Sequence, residues 1–385
     1  MLYVGIDIGK FHHEASIVNE QGKEVKKSLR FSNNREGFQR LISWLPHSAI
    51  SFAIEATGHY WFTLFDFLTN KNFPIKVVNP IQCDAYRQSK IRKTKTDKRD
   101  SFIIADLLRL GLIQETISTQ KWILELRDLS RFRFSLIDQI SDLKRHLIAI
   151  LDKIFPEFED LFKSPFLKSA RELLKAHPTP EDIASLSIKE LTQLLTQNSH
   201  GKFTEEKAEK IKLQAANSVG LTYLKDSATV QIRCLLLHIE FIEEQVKLLE
   251  EKITEIVQQH QTFLTTIPGI SNVLAGTIIG EIGNIDRFSS PRKLTAYAGI
   301  DPTTFSSGEF EATQTHMSKR GSPYLRRALW LAATCAWKFN PDLRDYYNRK
   351  IAQGKHYGTV IGAIARKLIY RIYTVVKEQR PYKVS

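Results

Sequence analysis

Two long heptad seams divide this chain and limit how it can fold. Leu136, Ile140, Leu143, Leu147, Ile150 and Ile154 step by 4, 3, 4, 3 and 4 within a helix predicted over 121–154. Ile232, Leu235, Ile239, Ile242, Val246, Leu249, Ile253 and Ile256 step by 3, 4, 3, 4, 3, 4 and 3. An apolar stripe on a long helix has to be covered, so the seams predict an antiparallel coiled-coil hairpin, a dimer, or both. Between them, residues 156–225 carry Pro156, Pro165, Pro178, Pro180 and only short helical patterns. That stretch reads as a helical insert at the hairpin tip. The expected division is therefore 1–113, 114–262 and 263–385.

Residues 1–113 alternate strand and helix. An apolar strand over 2–8 precedes a hairpin formed by Glu14–Val18 and Val25–Phe31, with Gln21-Gly22 at the turn. Helix over Asn33–Leu45, strand over Ser51–Glu55, helix over Tyr60–Asn70 and strand over Pro74–Val78 follow. This order predicts a mixed-sheet α/β domain, the pattern of RNase H-like folds. The remainder is expected to be mostly helical.

Four carboxylates stand out in this domain. Asp7 ends the first strand, between Gly5 and Gly9, where a missing Cβ lets backbone, metal or phosphate approach. Glu55 ends the second apolar run, before Ala-Thr-Gly58. Asp97 and Asp100 are three apart at the start of a helix whose buried side is Ile103, Ile104, Leu107, Leu108 and Leu110. Any one of them is most simply a turn or helix-surface acid. Together, a strand-end pair and an i, i+3 pair suit a two-metal phosphodiester site, because Mg²⁺ takes oxygen ligands and keeps part of its shell for phosphate.

The charge balance points the same way. There are 55 Lys+Arg against 42 Asp+Glu, a net +13, which favours a polyanion partner over a membrane surface. Arg87, Lys90, Arg92, Lys93, Lys95, Lys98 and Arg99 crowd the approach to Asp97 and Asp100, and read either as a solvated loop or as a wall for a phosphate backbone. Cys83, Cys234 and Cys335 are isolated, which argues against zinc and disulfides and for a reducing, cytoplasmic setting. No apolar run is long enough to span a bilayer, and no signal peptide is expected.

In the last segment, LTTIPGISNVLAGTIIGEIG over 264–283 resembles a helix-hairpin-helix, whose Pro-Gly turn either offers amides to a phosphate or makes a plain αα-corner. Ser306-Ser307-Gly308 is expected in a loop. MSKRGSPYLRRAL follows, with Lys319, Arg320, Arg326 and Arg327 near a helix start. A serine needs a base, metal or cation to become a nucleophile, and Ser-Gly is a common turn.

GIDIGK at 5–10, IEATG at 54–58, KTDKRD at 95–100, TIPGI at 266–270, AYAGIDP at 296–302, SSG at 306–308 and SKRGSPYLRRAL at 318–329 occur in the order found in DEDD transposases. The chain thus resembles the insertion-sequence-110 family, which includes Piv-type DNA invertases. The resemblance covers about 1–113 and 263–377. It implies a RuvC-like, RNase H-like domain in which Asp7, Glu55, Asp97 and Asp100 bind Mg²⁺. It also implies a serine that becomes linked to a 5′ phosphate. The matching position is Ser307, with Ser306 adjacent; Ser318 and Ser322 match less well. Further implications are double-stranded DNA as substrate, a structured bridge RNA as guide, and dimers that pair into tetramers in a bacterial or archaeal cytoplasm. The 156–225 insert has no motif that maps onto the family.

Three readings follow. The first is a transposase/recombinase working through Ser307. The second is a RuvC-like junction nuclease in which the same acids activate water. The third is an RNA-binding scaffold without catalysis. A covalent adduct separates the first two, and metal-dependent cleavage separates the third.

Overall fold

A computed structural model describes residues 1–88, 96–113, 120–199, 201–302, 306–307, 310–311 and 316–383. They form two compact units. One holds 1–124 with 282–297; the other holds 125–281 with 298–385.

The first unit is built on strands β1 (Leu2–Ile8), β2 (His12–Val18), β3 (Glu24–Ser32), β4 (Ile50–Glu55) and β5 (Ile75–Val78), with helices α1 (Arg35–Trp44), α2 (Phe62–Asn70), α3 (Pro80–Gln88) and α4 (Asp97–Arg109). The sheet order is β3-β2-β1-β4-β5. β1 to β3 are antiparallel, whereas β4 and β5 run parallel to β1. This is the mixed sheet that the sequence predicts.

Side chains alternate across the sheet with period 2. Val4, Ile6 and Ile8 of β1 and Phe52 and Ile54 of β4 share a core with Phe38 and Leu41 of α1 and Leu64, Phe65 and Leu68 of α2. Ala53 instead joins Cys83 of α3 and Ile103, Ile104, Leu107 and Leu108 of α4 in a second core. The same alternation puts Asp7 and Glu55 on the α3/α4 side.

Two local expectations change and a third is narrowed. Helix α3 was not legible: Asn79-Pro80 looks like a strand stop. Asn79 instead accepts from the Ile81 N–H at 3.0 Å and Pro80 opens a helix, where its missing N–H costs nothing. Arg87 therefore ends a helix rather than starting a charged loop. Leu110 is 43% exposed, because α4 ends at Arg109 and the Leu110 N–H turns back to the Asp106 carbonyl. Of the approaches that Gly5 was expected to permit, the one seen is that of backbone: a Cβ there would lie 2.1 Å from Ala105 N and 2.2 Å from the Ser101 carbonyl oxygen of α4.

In the second unit the two seams lie on α5 (Lys121–Ile154) and α11 (Lys225–Gln259). Leu136 and Ile140 share a core with Ile239, Ile242 and Val246. Leu147, Leu151 and Ile154 share another with Ala228, Ile232, Leu236 and the insert helices α6 (Phe158–Leu161), α7 (Lys168–Ala176), α8 (Pro180–Ser185), α9 (Ile188–Gln197) and α10 (Glu205–Ala216). Arg171 and Lys175 of α7 pair with Glu243 and Glu240 of α11 at 2.7 and 2.9 Å.

The rest comprises α12 (Asn272–Ile282), α13 (Pro291–Ala298), a two-stranded ribbon β6 (Ser306–Ser307) and β7 (Phe310–Glu311), and α14 (Pro323–Phe339), α15 (Pro341–Ala352) and α16 (Tyr357–Glu378). The helix-hairpin-helix expectation is met only in its second half: Phe263–Thr266 is a 3₁₀ turn. Gly269, at φ +92, lies against the backbone of α14 (a Cβ would meet Ala336 Cα at 2.7 Å), and Ser271 already accepts from the Leu274 N–H. The Pro-Gly turn thus packs against α14, as an αα-corner would. Among the described residues no helix is long and apolar enough to cross a membrane.

Candidate active site

β1 and β4 are parallel neighbours in the register Ile6↔Ile54. One residue further on, Asp7 and Glu55 leave the sheet side by side at the carboxyl ends of the strands, where α/β folds collect their chemistry. The Gly5 gap lets α4 settle on β1, and a buried hydrogen bond between Ser16 and Ser101 hydroxyls, 2.8 Å, ties α4 to β2. Thr96 caps α4 by accepting from the Arg99 N–H at 3.3 Å. Asp97 and Asp100 then fall in the first turn, where the helix dipole favours negative charge. Asp97 is exposed and Asp100 is buried.

The four acids form one electrostatic group. Burial, followed by the carboxylates of Glu55, Asp100 and Asp97, pushes Asp7 up to about 7, against one hydrogen bond from the Ile8 N–H. Glu55 accepts from the Thr57 hydroxyl at 3.0 Å. The Cys83 thiol lies near this carboxylate, and burial and then Glu55 push it far upward. Asp100 accepts from Arg87, Nε at 3.0 Å and Nη2 at 2.9 Å, both on Oδ1. Arg87 also bonds Asp84, one turn back. So α3 approaches two of the four acids, through Cys83 and Arg87, one helical turn apart. Sequence reasoning missed both, because the contacts depend on how α3 and α4 pack and leave no local signal.

The donor set is all carboxylate oxygen with surplus negative charge, which is the chemistry of a hard-cation site. Among the described residues, however, no three ligating groups are drawn together closely enough to hold one ion. The acids fit a divalent cation by charge and donor type, with Asp100 turned to Arg87.

Of the expected basic wall, Lys90, Arg92, Lys93 and Lys95 lie outside the described residues. Lys98 is exposed and 3.6 Å from Glu24; Arg99 is half-buried. Lys98, Arg99, Thr96 and Phe102 line a cavity of about 350 Å³ beside the start of α4.

The expected serine belongs to the second unit. Ser306 and Ser307 form a strand, not a loop, with Ser306 opposite Glu311 and Ser307 opposite Phe310; Gly308 lies outside the described residues. Downstream, Lys319 and Arg320 are exposed, in a turn whose Lys319 and Gly321 have φ of +51 and +78. Ser318 donates to Asp301 at 2.5 Å. Ser322 caps α14 and donates to buried Glu281 at 2.7 Å. Arg131 grips Glu281 with Nε at 2.7 Å and Nη2 at 3.1 Å. Arg326 donates to the Ala298 carbonyl at 3.2 Å and Arg327 pairs with Asp138 at 2.8 Å, so these two already have internal partners.

Two family comparisons bear on this arrangement. The DEDD transposase family of IS110 type matches residues 4–156, spanning all four acids. The family described as Transposase IS116/IS110/IS902 matches residues 261–348, spanning the serine segment. This chain belongs to the IS110 transposase family. Relatives of this family align over nearly the whole length. A pilin gene-inverting protein of Moraxella bovis is 25% identical over 99% of this chain and 97% of its own. An uncharacterized 44.8 kDa protein of insertion element IS116 from Streptomyces clavuligerus is 23% identical over 98% and 95%. The mini-circle putative transposase for IS117 from Streptomyces coelicolor is 22% identical over 92% and 88%.

Beyond the motifs, this IS110-family chain carries a cluster of cations around Tyr346. On α15 and α16, Lys367, Arg349 and Lys350 stand 4.7, 5.7 and 6.0 Å from the ring centre of Tyr346. Its sequence signal is a Tyr followed by basic residues three and four later, on one helical face.

Proposed function

We propose that this protein is a site-specific DNA recombinase of an insertion sequence, which cuts and rejoins strands through a serine. The observation that supports it most is the acidic cluster, in which burial and then three neighbouring carboxylates push Asp7 up to about 7. Four acids with one arginine among them are unfavourable in a free domain and useful where a cation is to be held. In this reading Asp7, Glu55, Asp97 and Asp100 hold Mg²⁺, as two ions. Mg²⁺ bound there supplies charge neutralisation for the attacking and leaving oxygens of a scissile phosphate.

Ser307 Oγ is the nucleophile. Its bond to phosphorus forms as the bond from phosphorus to the 3′ oxygen breaks. The serine proton passes to a base and the 3′ oxygen leaves as a hydroxyl. A 3′-hydroxyl from another strand then attacks the 5′-phosphoserine and frees the serine, so joining needs no ATP.

Partners follow from charge and exposure. The net +13, exposed Lys319 and Arg320, and the cations around Tyr346 favour nucleic acid. Sequence choice by a bridge RNA lets the protein read backbone shape alone. Val230, Leu237, Phe241 and Leu248 are exposed on α11 at steps of 7, 4 and 7, besides the buried seam. That second stripe favours a homodimer, which pairs into a tetramer.

The test is a plasmid recombination assay in which protein, Mg²⁺, the element's RNA, and donor and target DNA are combined and new junctions are sequenced. Wild type is expected to give junctions that Asp7→Ala and Glu55→Ala do not. Junctions formed equally by Asp7→Ala would overturn the reading.

A further inference from the structure

The four acids are not equally placed. Asp7, Glu55 and Asp97 have no cationic side chain bonded to them among the described residues, whereas Asp100 is held by Arg87. The pairing has three features. Both Arg87 nitrogens converge on the single atom Oδ1 of Asp100. The remaining guanidinium nitrogen, Nη1, bonds Asp84, which lies on the same helix. The Asp84 side chain is 59% exposed, while those of Arg87 and Asp100 are 14% and 6% exposed. Arg87 thus bridges one buried acid inside the cluster and one solvated acid outside it.

We propose that Arg87 is a built-in counter-cation of the acidic site: it occupies Asp100 while no metal is bound and retires to Asp84 when a divalent cation takes Asp100. The proposal rests on the metal reading above.

The physical argument is one of competition. A buried carboxylate without a partner is costly, so the metal-free domain needs a positive group at Asp100. A guanidinium is permanently charged and less strongly hydrated than an ammonium, so it fills that role at any working pH. The same group has to leave before Oδ1 can ligate a metal, because the arginine protons point at that oxygen. Asp84 makes leaving cheap, since one guanidinium bond is already in place there and the pair stays partly solvated. Cys83, one turn earlier, stays buried in the core that α3 shares with α4, so the release does not require α3 to detach from the site.

Two substitutions give opposite signs. Mn²⁺ binding to the full-length protein is measured by titration calorimetry, and thermal unfolding is followed with and without Mn²⁺. Arg87→Gln removes the competitor, so it is expected to unfold earlier without metal yet bind Mn²⁺ about tenfold more tightly than wild type. Asp84→Asn removes the retreat, so Mn²⁺ affinity is expected to fall several-fold while metal-free stability is nearly kept. Arg87→Lys, a compact cation that cannot bridge both acids, is expected to lie between wild type and Arg87→Gln. An arginine that merely positions Asp100 for the metal predicts the reverse, weaker binding in Arg87→Gln, and that result overturns the proposal. Should Arg87→Gln fail to fold, Asp84→Asn decides alone: equal or tighter binding overturns it. Uptake by wild type that neither substitution changes defeats this inference and leaves the metal reading intact. No uptake by wild type or by Arg87→Gln overturns the metal reading, and the inference with it.

Discussion

Replacing Gly5 by alanine tests how the acidic site is assembled, because that residue's only contribution is a missing methyl. The added Cβ would sit 2.1 Å from Ala105 N, 2.2 Å from the Ser101 carbonyl oxygen and 2.8 Å from Ala105 Cα, whereas ordinary contact begins near 3.4 Å. All three atoms are backbone, so no rotamer change relieves the overlap, and α4 has to retreat by about 1 Å or more. Overpacking of this kind costs about 1–3 kcal/mol, and here the upper part of that range applies. The retreat also carries Asp97 and Asp100 away from Asp7, and a displacement of about 1 Å at a catalytic group costs on the order of 100-fold in rate. Amide exchange of α4, thermal unfolding and the junction assay read the three consequences. Faster exchange confined to α4 and β1, an earlier unfolding midpoint and loss of junctions are expected. A Gly5→Ala protein with wild-type exchange in α4 and undiminished recombination would refute the account of why α4 sits where it does. Gly354→Ala is the control: its Cβ meets nothing within 4 Å, so only the backbone penalty of φ +73, about 1 kcal/mol, is expected.

Other consequences are equally direct. Asp7 has a raised folded value of about 7, so its stabilising share is present at low pH and is lost as pH rises through 7. Thermal unfolding of metal-free Asp7→Asn against pH should show wild type losing about 1–2 kcal/mol between pH 5 and 8, after allowance for solvent screening, and the variant losing little of it. For Glu281, burial is outweighed by Arg131, Arg127 and Ser322, so its carboxyl stays below its usual range. Glu281→Ala is expected to cost about 2–3 kcal/mol at neutral pH, less than the fullest buried pairs because Arg131 is 40% exposed, and the penalty should shrink as pH falls through the range where Glu281 titrates. Leu237→Asp with Phe241→Asp, on the exposed α11 stripe, should give a monomer in sedimentation velocity while helix content is kept; an unchanged dimer would place the interface elsewhere.

Much of this architecture was legible because its signals are periodic. The heptad steps located α5 and α11 and the core between them, and period-2 alternation with Gly5 and Gly58 located the strand ends bearing Asp7 and Glu55. The i, i+3 spacing placed Asp97 and Asp100 in one helical turn. What escaped reading was short or depended on distant partners. Helix α3 spans nine residues behind Asn-Pro, with charge that mimics a loop. Nothing local announces that its Arg87 reaches Asp100 or that its Cys83 faces Glu55, because those contacts depend on how α3 and α4 cover the sheet. Gly5 carried a signal for close approach by backbone, metal or phosphate, and only the packing of α4 shows that a helix backbone is what approaches. The Pro-Gly-Ile turn left a corner and a phosphate loop equally open, and its close packing against Ala336 is not written in the local sequence.

The central claim, that serine attack and the acidic cluster are one chemistry, is tested most directly by trapping the covalent intermediate. Protein, Mg²⁺, the element's RNA and end-labelled junction DNA are mixed, denatured and run on a gel, with Ser307→Ala, Ser306→Ala and Asp7→Ala beside wild type. Label migrating with wild-type and Ser306→Ala protein, and absent from Ser307→Ala and Asp7→Ala, is the predicted result. Cleavage that persists in Ser307→Ala and never carries label onto protein would contradict it, and would mean that the four acids activate water instead.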